Sequence, residues 1–140
     1  MARKRNCEGY RDPTAYEALS NIEREVKAPR GYRPLVYVCS PFSGDVEKNT
    51  EKTRRYCRYA VKNGYIPLAP HLYFPQFMSD ANPTERNLAL FMDIALLSKC
   101  DELWVFGTTI SKGMSIEIAR AKRKRQRIRL FSEECTEVSK

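Results

Sequence analysis

The fold is decided by the stretch Asp93-Ile94-Ala95-Leu96-Leu97-Ser98-Lys99-Cys100-Asp101-Glu102-Leu103-Trp104-Val105-Phe106-Gly107, which is followed closely by Ser111-Lys112-Gly113-Met114-Ser115-Ile116-Glu117. An apolar strand here runs into a turn of small residues and then into a helix. In open parallel sheets, ligands bind outside the carboxyl ends of the strands, where loops and helix N-termini supply N–H donors. Glu117 is therefore expected to face a ligand crevice. The alternative interpretation is a solvated charge favoured by the helix dipole.

The strand-then-helix pattern repeats over the rest of the chain from residue 35. Strands are predicted at residues 35–39, 66–70, 102–106 and 128–131. Helices are predicted at residues 46–63, 84–99 and 112–124. The helical periodicity of the second of these helices predicts four inward-facing residues, which are Leu88, Phe91, Ala95 and Leu96. Strands separated by helices indicate an α/β fold with a doubly wound parallel sheet of four or five strands, in the order 2-1-3-4.

Residues 1–34 differ in character from the rest of the chain. Asp12-Pro13-Thr14 is typical of a helix start, and residues 15–27 alternate apolar and charged side chains at helical spacing. Prolines and a glycine then interrupt the pattern. The sequence therefore predicts an N-terminal helical extension and linker over residues 1–34 and a single domain over residues 35–140.

The composition fits a globular domain that needs no disulfide or metal to fold. The chain has 140 residues, 30% of them charged and 42% hydrophobic. Its five cysteines form no C-x-x-C pair and it has one histidine, which argues against a disulfide framework, a zinc site and a conventional catalytic triad. The longest apolar runs are too short to span a bilayer, and the N-terminus lacks the apolar core of a signal peptide. A cytoplasmic location without membrane contact is expected.

The formal net charge of +8 is unevenly distributed, since seven of the ten residues 120–129 are Lys or Arg. Cations favoured at a helix C-terminus, a site for small anionic ligands and a polynucleotide site all remain open as explanations. No aromatic residues interleave with the run to stack bases, so nucleic acid is the least favoured partner.

Two loops converge where the first and third strands end. The loop at residues 40–44 supplies the Ser40 hydroxyl and backbone amides, and the turn before the third helix supplies Ser111, Gly113 and a helix N-terminus suited to an anion. The carboxylates of Glu117 and Asp93 are expected to enter the same crevice.

Paired carboxylates beside a sugar are what cleavage of a glycosidic bond requires. One attacks or stabilises the anomeric carbon as it becomes cation-like, while another group orients hydroxyls or handles the proton of the leaving group. Glu117 is the candidate nucleophile, and Lys112 and the helix N-terminus are expected to favour its ionised form. His71, Tyr73 and Phe74 come after the second strand, where they either stack on a nucleobase or pack as core or lid.

These residues resemble the nucleoside 2-deoxyribosyltransferase superfamily, which includes the 2'-deoxynucleoside 5'-phosphate N-hydrolases. The resemblance is carried by the run Tyr37-Val38-Cys39-Ser40-Pro41-Phe42-Ser43-Gly44, by the eight-residue step from Asp93 to Asp101 and by Ser111-x-Gly113-x-x-x-Glu117. Residues 35–131 are more closely similar to a bacterial and phage branch of that superfamily. The loop Ser43-Gly44-Asp45 lacks the arginine that the N-hydrolases carry there, which leaves a 5'-phosphate requirement open.

The resemblance implies a flavodoxin-like (Rossmann-like) fold, a homodimer or larger homo-oligomer, a nucleoside or nucleotide as the small-molecule partner, and neither cofactor nor metal. It also implies that Glu117 is the nucleophile, that Asp93 orients the sugar, that Ser111 and Gly113 bind phosphate or sugar, and that Tyr37 is the aromatic residue of the first strand. The remaining candidate substrate-binding residues are Ser40, Phe42, Gly44, His71 and Met114.

Three functional hypotheses fit these residues. The first is an enzyme that cleaves or transfers the N-glycosidic bond of a (deoxy)nucleoside or nucleotide through Glu117. The second is a catalytically inactive module that binds or senses such a ligand, since a fold can persist after its chemistry is lost. The third is a nucleic-acid-associated phage or mobile-element regulator that uses residues 120–129. An ionised nucleophile in the crevice favours the enzyme, because a binding module does not need one.

Overall fold

The computed structural model describes Ala15, residues 17–19 and residues 31–138. The chain divides into two units between Tyr32 and Arg33. In the first unit, Ala15 and residues 17–19 are helical and exposed. Most of the helix predicted over residues 15–27 lies outside the described residues, and the domain boundary after residue 34 stays a prediction.

The second unit contains a five-stranded sheet in the order β2-β1-β3-β4-β5. Its strands are β1 (Leu35–Cys39), β2 (Ile66–Leu68), β3 (Glu102–Phe106), β4 (Arg127–Phe131) and β5 (Glu137–Val138). The first four strands pair in parallel, and β5 is a two-residue strand antiparallel to β4. The predicted α/β class, the strand order and the flavodoxin-like arrangement are confirmed. The second strand is shorter than predicted, because the chain turns at Pro70 into a short 3₁₀ helix (Pro70–Leu72) that carries His71.

Three helices connect the parallel strands, and each begins at a side-chain cap. The helices are α1 (Val46–Lys62), α2 (Pro83–Leu97) and α3 (Lys112–Arg123). The side chain of Asp45 accepts the N–H of Lys48 before α1, and the side chain of Asn82 accepts the N–H of Thr84 and Glu85 in α2. Ser111 accepts the N–H of Met114 in α3. Caps of this kind satisfy N–H groups that have no partner within the helix, so short polar residues mark all three starts. None of the described helices is long and apolar enough to cross a membrane.

The sheet carries a separate apolar cluster on each face. On β1, Tyr37 and Cys39 belong to one cluster while Val36 and Val38 belong to the other, because successive strand side chains point to opposite faces. Trp104, 1% exposed, lies in the cluster with Val36 and Val38, as expected of a core residue. The Tyr37 face is the one on which Glu117 lies.

The face that α2 turns towards the sheet differs from the predicted one. Leu88, Phe91 and Ala95 are exposed, so the prediction that these three residues point inward is wrong, while Leu96 is half-buried. Ile94 and Leu97 pack into the core instead. Apolar residues occur on all sides of this helix, so periodicity does not select one face, and the selection comes from how the helix docks.

The corrected orientation of α2 predicts opposite outcomes for two large apolar residues of that helix. Leu97→Ala removes a fully buried side chain and is expected to lower the free energy of unfolding by about 2–5 kcal/mol. Phe91→Ala, at a site 70% exposed, is expected to change it by less than about 0.5 kcal/mol in the monomer. Urea denaturation of both variants measures the difference. Equal losses would contradict the observed docking of α2.

Candidate active site

A cavity of about 680 Å³ opens where β1 ends and α3 begins. Eight of the sequence-predicted site residues line it, namely Ser40, Phe42, His71, Asp93, Ser111, Gly113, Met114 and Glu117. The structure therefore brings the two candidate carboxylates into one cavity. Tyr37 lies behind Glu117, in contact with its carboxylate. Gly44 is exposed in the loop after β1 with φ +97°, a conformation that favours glycine, and does not line the cavity.

Two side chains of strand β1 donate hydrogen bonds to the carboxylate of Glu117. The Tyr37 hydroxyl donates to Oε2, and the Cys39 thiol lies 3.4 Å from Oε1 and donates to it. Tyr37 and Cys39 are two residues apart on the strand, so both side chains point to the same face. Glu117 is only 8% exposed and both of its oxygens have a donor.

Burial raises the pKa of Glu117 above its ordinary value, and the hydrogen bonds from Tyr37 and Cys39 oppose that rise. These strand donors stabilise the ionised form, and the contribution predicted for Lys112, which is exposed and lines the cavity, stays a prediction. Burial and the adjacent carboxylate raise the pKa of Tyr37 far above its usual range, so the phenol stays protonated and remains a donor.

Asp93 reaches the cavity from α2. Burial first, and then the charge of Glu117, raise the pKa of Asp93 to about 7. Its Oδ1 is buried and has no hydrogen-bond partner among the described residues. A buried acceptor without a partner destabilises the fold, and active sites are where such groups are kept.

The raised pKa of Asp93 makes a prediction about stability. A carboxyl group whose pKa is higher in the folded than in the unfolded state stabilises the fold below the unfolded pKa, and that stabilisation is lost as the pH rises through about 7. Asp93→Asn is therefore expected to raise the free energy of unfolding by up to about 4 kcal/mol at pH 8 and by little at pH 4. Denaturation at both pH values measures the difference, with the exposed Asp80→Asn as control. A gain that does not depend on pH would contradict the assignment.

A polar network forms the wall of the cavity next to β1. Ser40 Oγ lies 2.9 Å from Thr53 Oγ1 and 3.1 Å from His71 Nε2, and Thr53 Oγ1 is also 3.1 Å from that nitrogen. The Thr53 hydroxyl donates to the Asn49 carbonyl, so it accepts from the other two groups. Burial lowers the pKa of His71 to about 4, which keeps the ring neutral. The tautomer with hydrogen on Nε2 fits this network, with that one hydrogen shared between the oxygens of Thr53 and Ser40.

Sequence reasoning missed Thr53 and the outer wall of the cavity. Thr53 is buried in α1. It stands among charged residues, and no sequence pattern marks it as buried. The outer wall comes from the segment before α2 and from the first turns of that helix, and includes Phe74, Met78, Asp80, Glu85, Arg86 and Asn87. Of the aromatic residues singled out after β2, Phe74 lines the cavity and Tyr73 is exposed. Among the described residues, no three His, Cys, Asp or Glu side chains cluster in a way that could hold a metal.

The Lys and Arg side chains of residues 120–129 lie in two different environments. Arg120, Lys122 and Arg123 lie in the last turn of α3, where cations are favoured. Arg129 lies over the Trp104 ring, 4.9 Å from its centroid, and pairs with Glu137 at 2.7 Å. None of these residues lines the 680 Å³ cavity.

The model of a family described as a domain of unknown function, DUF7768, matches residues 34–131 of this chain. The chain belongs to the DUF7768 family. The matched DUF7768 region includes the sheet from β1 to β4 and all of the candidate site residues. No curated protein sequence matches the chain.

Solved structures that resemble the DUF7768 chain include two 2-deoxyribosyltransferases. A 2-deoxyribosyltransferase from Bacillus psychrosaccharolyticus is 17% identical with a TM-score of 0.55, over 76% of this chain and 77% of that one. A 2-deoxyribosyltransferase from Leishmania mexicana is 14% identical with a TM-score of 0.53, over 71% of this chain and 64% of that one. At these identities the likeness shows the fold, so the predicted resemblance to this superfamily is confirmed for the fold. The roles of the site residues and the branch within the superfamily stay predictions.

Proposed function

We propose that this chain cleaves or transfers the N-glycosidic bond of a (deoxy)nucleoside or nucleotide, with Glu117 as the nucleophile. The observation that carries the proposal is that Glu117 and Asp93 line one cavity and interact electrostatically, since the charge of Glu117 contributes to the raised pKa of Asp93. When two neighbouring carboxyl groups differ in pKa, one is ionised and attacks while the other is protonated and supplies a proton. The fold shared with deoxyribosyltransferases supports the same chemistry.

In the proposed reaction, an oxygen of ionised Glu117 forms a bond to the anomeric carbon while the bond from that carbon to the base nitrogen breaks. The electron pair stays on the base, and Asp93, with a pKa of about 7, is partly protonated at neutral pH and can donate to it. Water in a hydrolase, or the N–H of a second base in a transferase, then attacks the anomeric carbon, gives its proton to the ionised Asp93 and breaks the bond from that carbon to the Glu117 oxygen. Either acceptor regenerates the free carboxylate of Glu117.

The cavity walls support a nucleoside-sized ligand. Phe42, His71 and Phe74 line the cavity, and Phe42 and His71 make an edge contact with ring centroids 6.0 Å apart. Stacking on such rings recognises a base through its face. Ser111 and Gly113 lie at the start of α3, where N–H groups favour a sugar hydroxyl or a phosphate. Arg86 and Lys112 also line the cavity, so a 5'-phosphate remains within the proposal.

The finer points of the proposal concern assembly, lineage and location. The exposed apolar side chains of α2, Leu88 at 49% and Phe91 at 70%, support a homodimer or larger homo-oligomer. The residues that carry the superfamily resemblance support the branch related to the 5'-phosphate N-hydrolases. A cytoplasmic location is proposed from the sequence.

The direct test is to incubate the chain with a panel of nucleosides, deoxynucleosides and their 5'-monophosphates and to measure free base by chromatography. A second base is added in parallel to detect transfer. Release or exchange of base supports the enzyme. Saturable binding without release would overturn it in favour of the catalytically inactive binding module.

A further inference from the structure

The Cys39 thiol is fully buried and faces the carboxylate of Glu117. Its sulfur lies 3.4 Å from Oε1, within hydrogen-bond distance for sulfur, while Tyr37 occupies Oε2. The two donors come from alternate residues of one strand, and each donates a hydrogen bond to one oxygen of the same carboxylate. A carboxylate held at both oxygens cannot rotate about its terminal bond without losing a donor.

We propose that Cys39 is a positioning residue for Glu117, whose thiol donates to Oε1 and holds the ionised carboxylate in one orientation. The inference rests on the proposed function in that Glu117 is taken as the nucleophile. In this role Cys39 neither touches the substrate nor forms a bond to it. A fixed carboxylate loses less freedom on reaching the anomeric carbon, which is how orientation accelerates a reaction.

The surroundings of Cys39 keep it a donor and prevent it from acting as a nucleophile itself. Burial and the negative charge of Glu117 raise the pKa of the Cys39 thiol well above its ordinary value. The thiol therefore keeps its hydrogen throughout the pH range in which Glu117 ionises. A protonated thiol is a weak nucleophile, so the glycosyl group is transferred to Glu117 and not to Cys39.

The two donors differ in strength, so removing each should raise the pKa of Glu117 by a different amount. A purely structural cysteine would not change that pKa. A phenolic O–H is a stronger donor than a thiol S–H. Removing either donor raises the pKa of Glu117, because each stabilises the charged form. Tyr37→Phe is expected to raise it more than Cys39→Ala does.

The test measures the ionisation of Glu117 directly, by NMR titration of the side-chain carboxyl carbon in ¹³C-labelled chain without ligand. Cys39→Ala is expected to move the midpoint upward by roughly half to one pH unit, and Cys39→Ser to return it towards the wild-type value. Cys100→Ala is the matched control. Cys100 is also buried in the same apolar cluster, but its thiol donates to the Leu96 carbonyl.

The expected pattern is a midpoint raised in Cys39→Ala and unchanged in Cys100→Ala, together with a loss of base release of roughly tenfold in Cys39→Ala that Cys39→Ser partly restores. An unchanged midpoint in Cys39→Ala, or the same shift in Cys100→Ala, would overturn the proposal. If Cys39→Ala does not fold, the comparison of Cys39→Ser with wild type decides, since a hydroxyl donor must then hold the midpoint near its wild-type value. The titration needs no substrate, so absence of base release in wild type would count against the proposed function and leave this result standing.

Discussion

Glu117→Ala is expected to lower the rate of base release by at least about a thousand-fold, because no other carboxylate shares its position below the cavity among the described residues. Glu117→Gln keeps the shape of the side chain and is expected to lose as much, since an amide cannot form the glycosyl ester. Single-turnover assays with the best substrate from the panel measure both variants. The affinity for that substrate is expected to change little, because Ser111, Phe42 and His71 still line the cavity.

The control for this experiment is a second buried glutamate on the opposite face of the sheet. Glu102 is as buried as Glu117, at 8%, and accepts hydrogen bonds from Trp104 and Tyr65. Glu102→Gln alters a buried carboxylate without touching the cavity, so base release is expected to persist. Turnover in Glu117→Ala equal to that of wild type would reject Glu117 as the nucleophile, and loss of substrate binding in that variant would assign it a binding role.

Asp93→Asn is expected to lower base release by about 10²–10⁴-fold and to change its dependence on pH. Asp93 donates a proton only while protonated, so the wild-type rate should fall as the pH rises through about 7. Glu117 attacks only while ionised, so the rate should also fall as the pH drops through the pKa of Glu117, which burial raises. The expected profile of kcat/KM against pH is a bell, and Asp93→Asn removes its alkaline side.

The coupling between the two carboxyl groups provides a further check on this profile. The charge of Glu117 is the second cause of the raised pKa of Asp93, after burial. In Glu117→Gln, which is neutral, the pKa of Asp93 is therefore expected to fall below about 7 while staying above its ordinary value. Carboxyl-carbon NMR measures the pKa of Asp93 in the inactive variant.

For the pH profile itself, an alkaline limb that survives in Asp93→Asn would show that another group supplies the proton.

Local sequence patterns are sufficient for the elements that frame the site. Strand β1 coincides with an apolar run and β3 with an apolar run preceded by Glu102, because a strand buried on both faces leaves no position for a charge except at its ends. The small residues of the preceding turn predict the start of α3 at Lys112, and the structure shows Ser111 as its N-cap. Since β1 and β3 are neighbours, the convergence of Ser40 and Glu117 follows from the strand order.

Contacts between elements distant in sequence are not available from such patterns. Thr53 and His71 are 18 residues apart and meet only because α1 and the turn after β2 pack together. The role predicted for Lys112 stays a prediction, whereas the two groups that hydrogen-bond to the Glu117 carboxylate, Tyr37 and Cys39, lie far from it in sequence. The sequence around Cys39 indicates only a small core residue, and its contact with Glu117 spans 78 residues.

Sequence alone was enough for the strand and helix order, because that order depends on apolar patterns and turn residues within a few positions, and the family resemblance pointed to Glu117 and Asp93. Tertiary structure decided which face of α2 is buried, which donors hold Glu117 and why the pKa of Asp93 rises to about 7. Those properties depend on burial and on charges brought together across the sheet, and both exist only once the helices have docked.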